Sequence, residues 1–171
     1  MEVPVLETAR LRLRAHTVAD FSALAAVWSE AAVIRFIGGK PSTPTEAWAR
    51  LLRYRGLWPL LGFGYWAVEE KASGQFAGDV GFADFHRALE PPIHGVAEMG
   101  WVLGGRHQGK GYASEAVAAA LEWFDRAGKG RSVSIIDPAN TPSLKVAEKN
   151  GFREYQRTTF MGDEVILLER V

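Results

Sequence analysis

The stretch that decides the fold reads GWVLGGRHQGKGYASEA and runs from Gly100 to Ala116. An apolar run ends at Leu103, glycines and cations follow, and a pattern typical of a helix begins near Tyr112. Glycine lets the backbone approach a ligand closely, and a helix N-terminus supplies free N–H groups and the positive end of the helix dipole. The strand, the loop and the helix start together predict an anion site, most naturally for phosphate.

One phosphate-binding device that fits this loop is the P-loop. From Gly104 the residues GGRHQGKG match G-x-x-x-x-G-K and then depart from the pattern, because Gly111 stands where a Ser or Thr would bind Mg²⁺. Asp137, at the end of the apolar stretch SVSIID, could act as the metal-binding aspartate. A P-loop is expected after the first strand of its domain, however, whereas this loop lies about two-thirds of the way along the chain. Most strands before it look like an antiparallel meander and not like β-α-β units.

The second device begins at Arg106, where RHQGKG reads R-x-x-G-x-G. This loop resembles the acetyl-CoA loop of the GNAT N-acetyltransferase superfamily. The preceding AEMGWVL is similar to the fourth strand of that family, and NTPSLKVAEKNGF is similar to its Asn-x-x-Ser/Ala…Gly-Phe segment, here Asn140, Ser143, Gly151 and Phe152. Near the start, LETARLRLRAHTVAD resembles the entry strand of the ribosomal-protein alanine/serine N-terminal acetyltransferases. The resemblance thus extends in the right order over nearly the whole chain.

The element pattern and this resemblance imply an α/β (α+β) fold, with residues 1–171 as one acetyltransferase domain. We expect a mixed, mostly antiparallel sheet of about seven strands, splayed between the fourth and fifth strands, with about four helices. Helix starts are predicted at Thr17 and at Thr43, where Pro44 and Glu46 complete a capping signature. The chain should close with a hairpin about Met161-Gly162.

The resemblance also implies where acetyl-CoA binds as cosubstrate. The pantetheine arm would pair with the fourth strand and the pyrophosphate would lie on the loop amides. Asn140 would contact the cofactor arm from the far side of the splay. The matching cofactor residues are Trp101, Val102, Leu103, Arg106, Gln108, Gly109, Lys110, Gly111, Tyr112, Ala113, Asn140 and Ser143.

Two residues are predicted to be catalytic. Many relatives carry a tyrosine acid seven residues after the asparagine, but Ala147 occupies that position here. Ser143 is then the nearest candidate to donate a hydrogen bond to the thiol sulfur of CoA. The alternative is that Ser143 serves only as a residue of the first helical turn. Glu98 lies in an otherwise apolar strand, where a charge is costly unless it is solvated or paired, so it either accepts the amine proton through water or forms a salt bridge. The acceptor pocket is predicted from aromatic and apolar residues of the first helices and the next strand, namely Trp28, Phe36, Ile37, Trp58, Tyr65 and Trp66.

The predicted function is acetyl-CoA-dependent N-acetylation of a primary amine, either a protein N-terminal α-amine or a small-molecule amine, by direct transfer in a ternary complex. A thioester is already activated, so no enzyme nucleophile is needed. A P-loop phosphotransferase and a non-catalytic acyl-CoA-binding module remain as alternatives.

Composition limits the partners. Lys+Arg and Asp+Glu number 20 each, so the balanced charge gives no sign of a nucleic-acid footprint. There is no cysteine, which excludes a thiol nucleophile and cysteine-ligated metal. The four histidines, His16, His86, His94 and His107, lack the spacing of metal ligands, so no metal is predicted. No signal peptide or spanning segment is visible, and we expect a cytoplasmic protein without membrane contact that could form a homodimer.

Overall fold

An eight-stranded sheet forms the middle layer of the computed structural model, which describes residues 2–171. The strands are β1 (Leu6–Glu7), β2 (Leu11–Arg14), β3 (Tyr65–Glu70), β4 (Gln75–Ala83), β5 (Ala97–Leu103), β6 (Ser132–Ile136), β7 (Arg153–Phe160) and β8 (Asp163–Arg170). Their order in the sheet is β1-β2-β3-β4-β5-β6-β8-β7, and the one parallel pair is β5 with β6. The predicted mixed, mostly antiparallel sheet is confirmed.

Helices cover both faces of this sheet. They are α1 (Phe21–Val27), α2 (Ala31–Ile34), α3 (Pro44–Leu61), α4 (Tyr112–Arg126) and α5 (Thr141–Lys149). One core cluster joins α1 and α3 to Tyr65 and Ala83 of the sheet. A second joins α4 to the opposite face, where Phe124 stacks on Phe82 with ring centroids 4.2 Å apart, and a smaller third contains Leu167 of β8. None of the helices in residues 2–171 combines the length and apolar composition that a bilayer-crossing helix needs.

The predicted helix starts at Thr17 and Thr43 and the predicted final hairpin are confirmed. The Thr43 hydroxyl accepts the Glu46 N–H at 3.2 Å, and the Glu46 carboxylate accepts the Thr43 N–H at 2.8 Å. In the same way, the Asp20 carboxylate accepts the Thr17 N–H at 2.7 Å. Residues Met161 and Gly162 turn the final hairpin with φ of 52° and 89°.

The element count differs slightly from the prediction of about seven strands and four helices. The additional strand is the two-residue β1, too short for a periodic pattern. The additional helix is α2, which forms because the first helix ends at Val27 and a new turn starts after Glu30. Strand β4 ends at Ala83, because the Asp84 carboxylate accepts the N–H of His86 at 3.1 Å and closes a turn.

The sheet opens between β5 and β6. These strands pair only at Ala97↔Ser132 and Glu98↔Val133, although β5 continues to Leu103 and β6 to Ile136. The predicted splay is therefore present, and it lies one strand later in the numbering because of β1. It leaves a wedge whose two sides are the free edges of β5 and β6.

Candidate functional site

Unpaired backbone N–H groups line the loop that joins β5 to α4. Among the described residues, the amides of positions 109–114 have no hydrogen-bond acceptor. Gly109 and Gly111 adopt φ of 73° and 81°, a left-handed backbone that favours glycine. The turn and the first helical amides form a concave set of donors at the positive end of a 15-residue helix. Such a set binds phosphate oxygens.

Side chains from elsewhere in the chain hold this loop in place. The Glu30 carboxylate accepts the Gly105 N–H at 2.7 Å, and Gln108 Nε2 donates to the Leu103 carbonyl at 2.9 Å. Arg10 donates from Nη1 to the Lys110 carbonyl at 2.7 Å and pairs with Glu115. The loop geometry is thus set before any ligand arrives. Sequence reasoning missed Arg10 and Glu30, because their contacts cross long stretches of chain without a local signal.

The charge around the loop is mixed. Arg106 and Lys110 are exposed. A Glu70 oxygen lies 3.6 Å from the Lys110 Nζ and accepts the Tyr112 hydroxyl at 2.7 Å. Hydrogen bonds from Ser73 and Tyr112, with Lys110 nearby, lower the pKa of Glu70 to about 2. This carboxylate therefore orients Tyr112 and stays charged at neutral pH. A cleft of about 410 Å³ adjoins the loop between α4 and α5, lined by Arg10, Gly111, Ser114, Glu115, Ala118, Lys149 and Asn150.

Asn140 and Ser143 lie beyond the end of β6, on the other side of the wedge. Asn140 Oδ1 accepts the Ser143 N–H at 3.3 Å and caps α5. The Asn140 amide nitrogen and the Ser143 hydroxyl make no hydrogen bond within residues 2–171. Ser143 is half-buried. Both residues therefore serve as part of a helix start and still present a free polar group. Ala147 is buried in the core.

Glu98 is buried in β5 and ion-paired. Its relative exposure is 5%, and Arg87 donates to its two oxygens from Nε at 2.7 Å and from Nη2 at 2.8 Å. The Arg87 guanidinium also lies over the rings of Phe85 and Phe160. A bidentate pair of this kind fixes the carboxylate in one orientation and leaves lone pairs for another donor. Sequence reasoning missed Arg87, because the loop that carries it shows no periodic pattern.

The Tyr65 hydroxyl lies against β5 just past Glu98. Tyr65 and Gly100 both pair with Gly81 in the sheet, so all three share one face. A side chain at Gly100 would overlap the Tyr65 hydroxyl, and that hydroxyl makes no hydrogen bond with any described residue. Burial raises the pKa of Tyr65 well above its usual value, so the group stays a neutral donor. Tyr65 also stacks on Tyr54, with centroids 4.2 Å apart.

The other residues predicted for the acceptor pocket lie in different surroundings. Trp28 is buried and donates from Nε1 to Asp79 at 3.1 Å. Trp58 and Trp66 are fully buried and pack edge-to-face, 4.7 Å apart, in the core cluster that includes α4. Phe36 is half-buried and Ile37 is 43% exposed, in the loop after α2. The six residues therefore do not form one continuous surface.

The histidines fall into two kinds. His16 is buried and its Nε2 lies 2.6 Å from Asp79, and His107 is the buried side chain of the glycine loop itself. Burial lowers the pKa of His107. His86 and His94 are exposed and in contact, with Nδ1 atoms 3.2 Å apart. Their sequence spacing did not indicate this contact.

Comparison with known proteins agrees with this arrangement. A match to the acetyltransferase (GNAT) domain covers residues 10–153. The uncharacterized protein YkkB of Bacillus subtilis is 37% identical over 98 residues, 57% of this chain and 54% of that protein. This chain thus spans about half the length of YkkB. The uncharacterized N-acetyltransferase p20 of Bacillus licheniformis is 28% identical over 151 residues, 87% of this chain and 82% of its own.

Solved structures extend the likeness to the whole fold. A protein described as a GnaT-family acetyltransferase from Bordetella pertussis has a TM-score of 0.87 and 34% identity, covering 99% of this chain and 100% of that one. RimL, a ribosomal L7/L12 α-N-protein acetyltransferase solved with coenzyme A, has a TM-score of 0.79 at 22% identity, over 98% of each chain, and shares the fold. With a splayed sheet, an amide-lined loop and a domain match over most of its length, the chain belongs to the GNAT acetyltransferase family.

Proposed function

We propose that this protein transfers the acetyl group of acetyl-CoA directly to a primary amine, in a ternary complex and without a metal. The observation that carries the proposal is the coincidence of two features at the C-terminal end of β5. The free strand edge can pair with the amide-bearing pantetheine arm, and the unpaired amides of residues 109–114 can bind the diphosphate. Coenzyme A carries both groups on one molecule.

The donor would thread through the wedge along the edge formed by Trp101, Val102 and Leu103. The diphosphate would lie on the amides from Gly109 to Ala113, close to Arg106 and Lys110. The nucleotide end would extend towards the cleft between α4 and α5, where Arg10 and Lys149 supply positive charge for the phosphate groups. The free Asn140 amide would contact the arm from the other side.

In the proposed reaction the amine nitrogen attacks the thioester carbonyl carbon and a tetrahedral oxyanion forms. A β5 backbone N–H and the Tyr65 hydroxyl are the donors available to that oxygen or to the incoming amine. Glu98, oriented by Arg87, accepts the amine proton through a water molecule. The C–S bond then breaks and the thiolate leaves with CoA, with the Ser143 hydroxyl as its hydrogen-bond donor.

The acceptor is proposed to be an amine of low pKa, such as a peptide N-terminus. An α-amine has a pKa near 8 and a lysine near 10.4, and the gap of roughly 2.4 units is about 3.3 kcal/mol of deprotonation work. Glu98, acting alone through a water molecule, suits the α-amine, which needs less deprotonation work. RimL, an α-N-protein acetyltransferase of the same fold, supports the same class of acceptor. Tyr65, Phe85 and the Arg87–Glu98 pair would line the acceptor side, together with Trp28, Phe36 and Ile37, whereas Trp58 and Trp66 support it from the core.

One observation favours a second candidate, a non-catalytic acyl-CoA-binding module. The tyrosine acid position is Ala147, and both oxygens of Glu98 are already engaged by Arg87. The phosphotransferase alternative has lost its support. Gly111 offers no hydroxyl for Mg²⁺, and Asp137 Oδ1 accepts the N–H of Ala139 as a turn residue.

The deciding experiment measures binding and turnover together. Calorimetry with acetyl-CoA and with Mg·ATP should give one donor site per chain and no ATP binding. A panel of peptides with free and blocked N-termini, and of small amines, should then release CoA only with free primary amines. Donor binding without turnover on any amine would favour the binding module, and tight Mg·ATP binding without CoA binding would overturn the proposal.

A further inference from the structure

Three metal-ligating side chains meet in the loop between β4 and β5. Asp84, His86 and His94 each present one ligand atom, and these atoms lie within 4.8 Å of one another. Within residues 2–171 this is the one group of three or more His, Asp or Glu side chains with that spacing. It lies outside the cofactor wedge and takes no part in the proposed acetyl transfer.

We propose that Asp84, His86 and His94 form a binding site for a divalent transition-metal ion of the zinc class. Two imidazoles and one carboxylate are a ligand set typical of such ions, with one position left for water. Neighbouring ligand atoms in a tetrahedral site with bonds of about 2.0 Å are roughly 3.3 Å apart. The Nδ1 atoms of His86 and His94 are 3.2 Å apart, which matches this spacing. Asp84 Oδ2 lies 3.5 Å from Nε2 of His86, the other ring nitrogen. One ligand atom from each of the three residues can be chosen so that all lie within 4.8 Å, and the exposed imidazoles would close the remaining gap by side-chain rotation.

The backbone around this cluster is arranged to bring the two imidazoles together. The Asp84 carboxylate accepts the N–H of His86 at 3.1 Å and that of Gly95 at 2.8 Å, so it closes the loop at the position next to His94. His86 adopts a φ of 49°, an uncommon conformation for a residue with a side chain. Outliers of this kind persist where the surrounding structure holds them and are frequent at ligand sites.

The ion would also link this loop to the acceptor side of the enzyme. His86 immediately precedes Arg87, whose guanidinium holds Glu98. Asp84 and His86 both come just before Arg87 in the chain. An ion bound to them would therefore restrict the backbone that carries the Arg87 guanidinium. The site is therefore structural, since it fixes the orientation of Arg87 rather than touching the acetyl donor.

The test is a calorimetric titration of the tag-free protein with ZnCl₂, repeated with CoCl₂ while the cobalt absorption is recorded. The expected result is one ion per chain and a higher melting temperature with zinc. The double variant His86→Ala/His94→Ala should lose the binding, and Asp84→Asn should weaken it. Asp137→Asn is the matched control, because Asp137 also accepts a backbone N–H two residues on but has no histidine beside it.

The buried histidines supply an internal control. On addition of zinc, the imidazole NMR signals of His86 and His94 should shift, while those of His16 and His107 should not. Absence of stoichiometric binding, or undiminished binding in the double variant, would overturn the proposal. So would a stoichiometry of one ion per two chains, which would indicate a site shared between copies. None of these readouts depends on acetyltransferase activity, so the result stands apart from the proposed function.

Discussion

The two sides of the wedge present different kinds of chemical group. On the proposed donor side the groups free to meet a ligand are backbone amides of residues 109–114, held by a few side chains such as Arg10 and Glu30. On the acceptor side they are side chains, and charged pairs hold them, such as Arg87 with Glu98. Backbone donors do not titrate and are lost only when the backbone is distorted or blocked, whereas charged pairs depend on both partners. Substitutions should therefore separate binding of the donor from turnover.

The largest effect is expected from Gly111→Asp. The new side chain would be strained at a φ of 81°, would crowd Arg10 at 3.3 Å, and would place a negative charge among the amides that we propose bind the diphosphate. The thermal shift caused by acetyl-CoA, about 2.7 kcal/mol of added stability at 100 Kd for the wild type, should disappear.

Gly130→Asp is the control for backbone strain. Gly130 has a φ of 75° with open space around it, in the turn before β6. This variant should lose stability in the same way and still bind the donor. Unchanged CoA affinity in a folded Gly111→Asp protein would mean that the diphosphate lies elsewhere.

Glu98→Gln should affect turnover and not donor binding. The amide keeps the shape of the side chain but removes the base, so the rate with any acetylated amine should fall by about 10²–10⁴. The loss should shrink as pH rises, because more of the amine then arrives neutral. Rates and CoA affinities of both proteins across pH check this expectation.

Glu169→Gln is the matched control for the loss of an ion pair. Glu169 pairs with Arg131 at 2.8 Å, outside the wedge, and its variant should keep full activity. Wild-type rates in Glu98→Gln would make Glu98 a structural residue.

Tyr65→Phe should have a smaller effect, about a tenfold lower kcat/KM, which is 1.4 kcal/mol. The loss should be the same from pH 6 to 9, because burial keeps the pKa of the hydroxyl well above its usual value and the donor stays neutral. Tyr54→Phe is the control, since Tyr54 stacks on Tyr65 but is not adjacent to Gly100. A loss that follows pH would contradict the role of a neutral donor.

The smallest effect on activity and a measurable effect on stability are expected from Asp20→Asn. Burial opposes the charged form of Asp20, but two hydrogen bonds from Arg14 and one from the Thr17 N–H outweigh it and lower its pKa. A lowered folded-state pKa contributes stability above the unfolded value of about 3.9, and that stability is lost as pH falls through the folded value.

The unfolding free energy of Asp20→Asn should therefore be lower than that of the wild type by about 1.5–3 kcal/mol at pH 7. The difference should shrink below about pH 4. Urea unfolding across this range measures it, and Asp163→Asn, an exposed carboxylate at the start of β8, should show no such dependence. A difference that persists in acid would assign the loss to packing rather than to charge.

Local patterns carried the sequence predictions that the structure supports. The loop from Gly104 to Gly111 is a single stretch of chain, so anion binding could be proposed for it without knowing the fold. The capping residues Thr43 and Glu46 are equally local. The splay followed from the family resemblance, because two strands far apart in the sequence form it.

Long-range contacts could not be predicted in the same way. Glu98 stood out as a charge in an apolar strand, but nothing identified Arg87 as its partner. Trp58 and Trp66 were equally plausible as pocket or core, since both environments favour aromatic residues, and the structure buries them completely. The contact between His86 and His94 depends on a turn closed by one carboxylate, which no spacing rule describes.

The two residue pairs that join β5 to β6 have a consequence for hydrogen exchange. Central strands usually contain the slowest-exchanging amides of a protein, but here the β6-facing amides of Met99–Leu103 have no partner strand and should exchange early. With acetyl-CoA seated along this edge, the same amides should become protected. The donor would then act as the missing strand between two half-sheets, so that each turnover removes and replaces a piece of secondary structure.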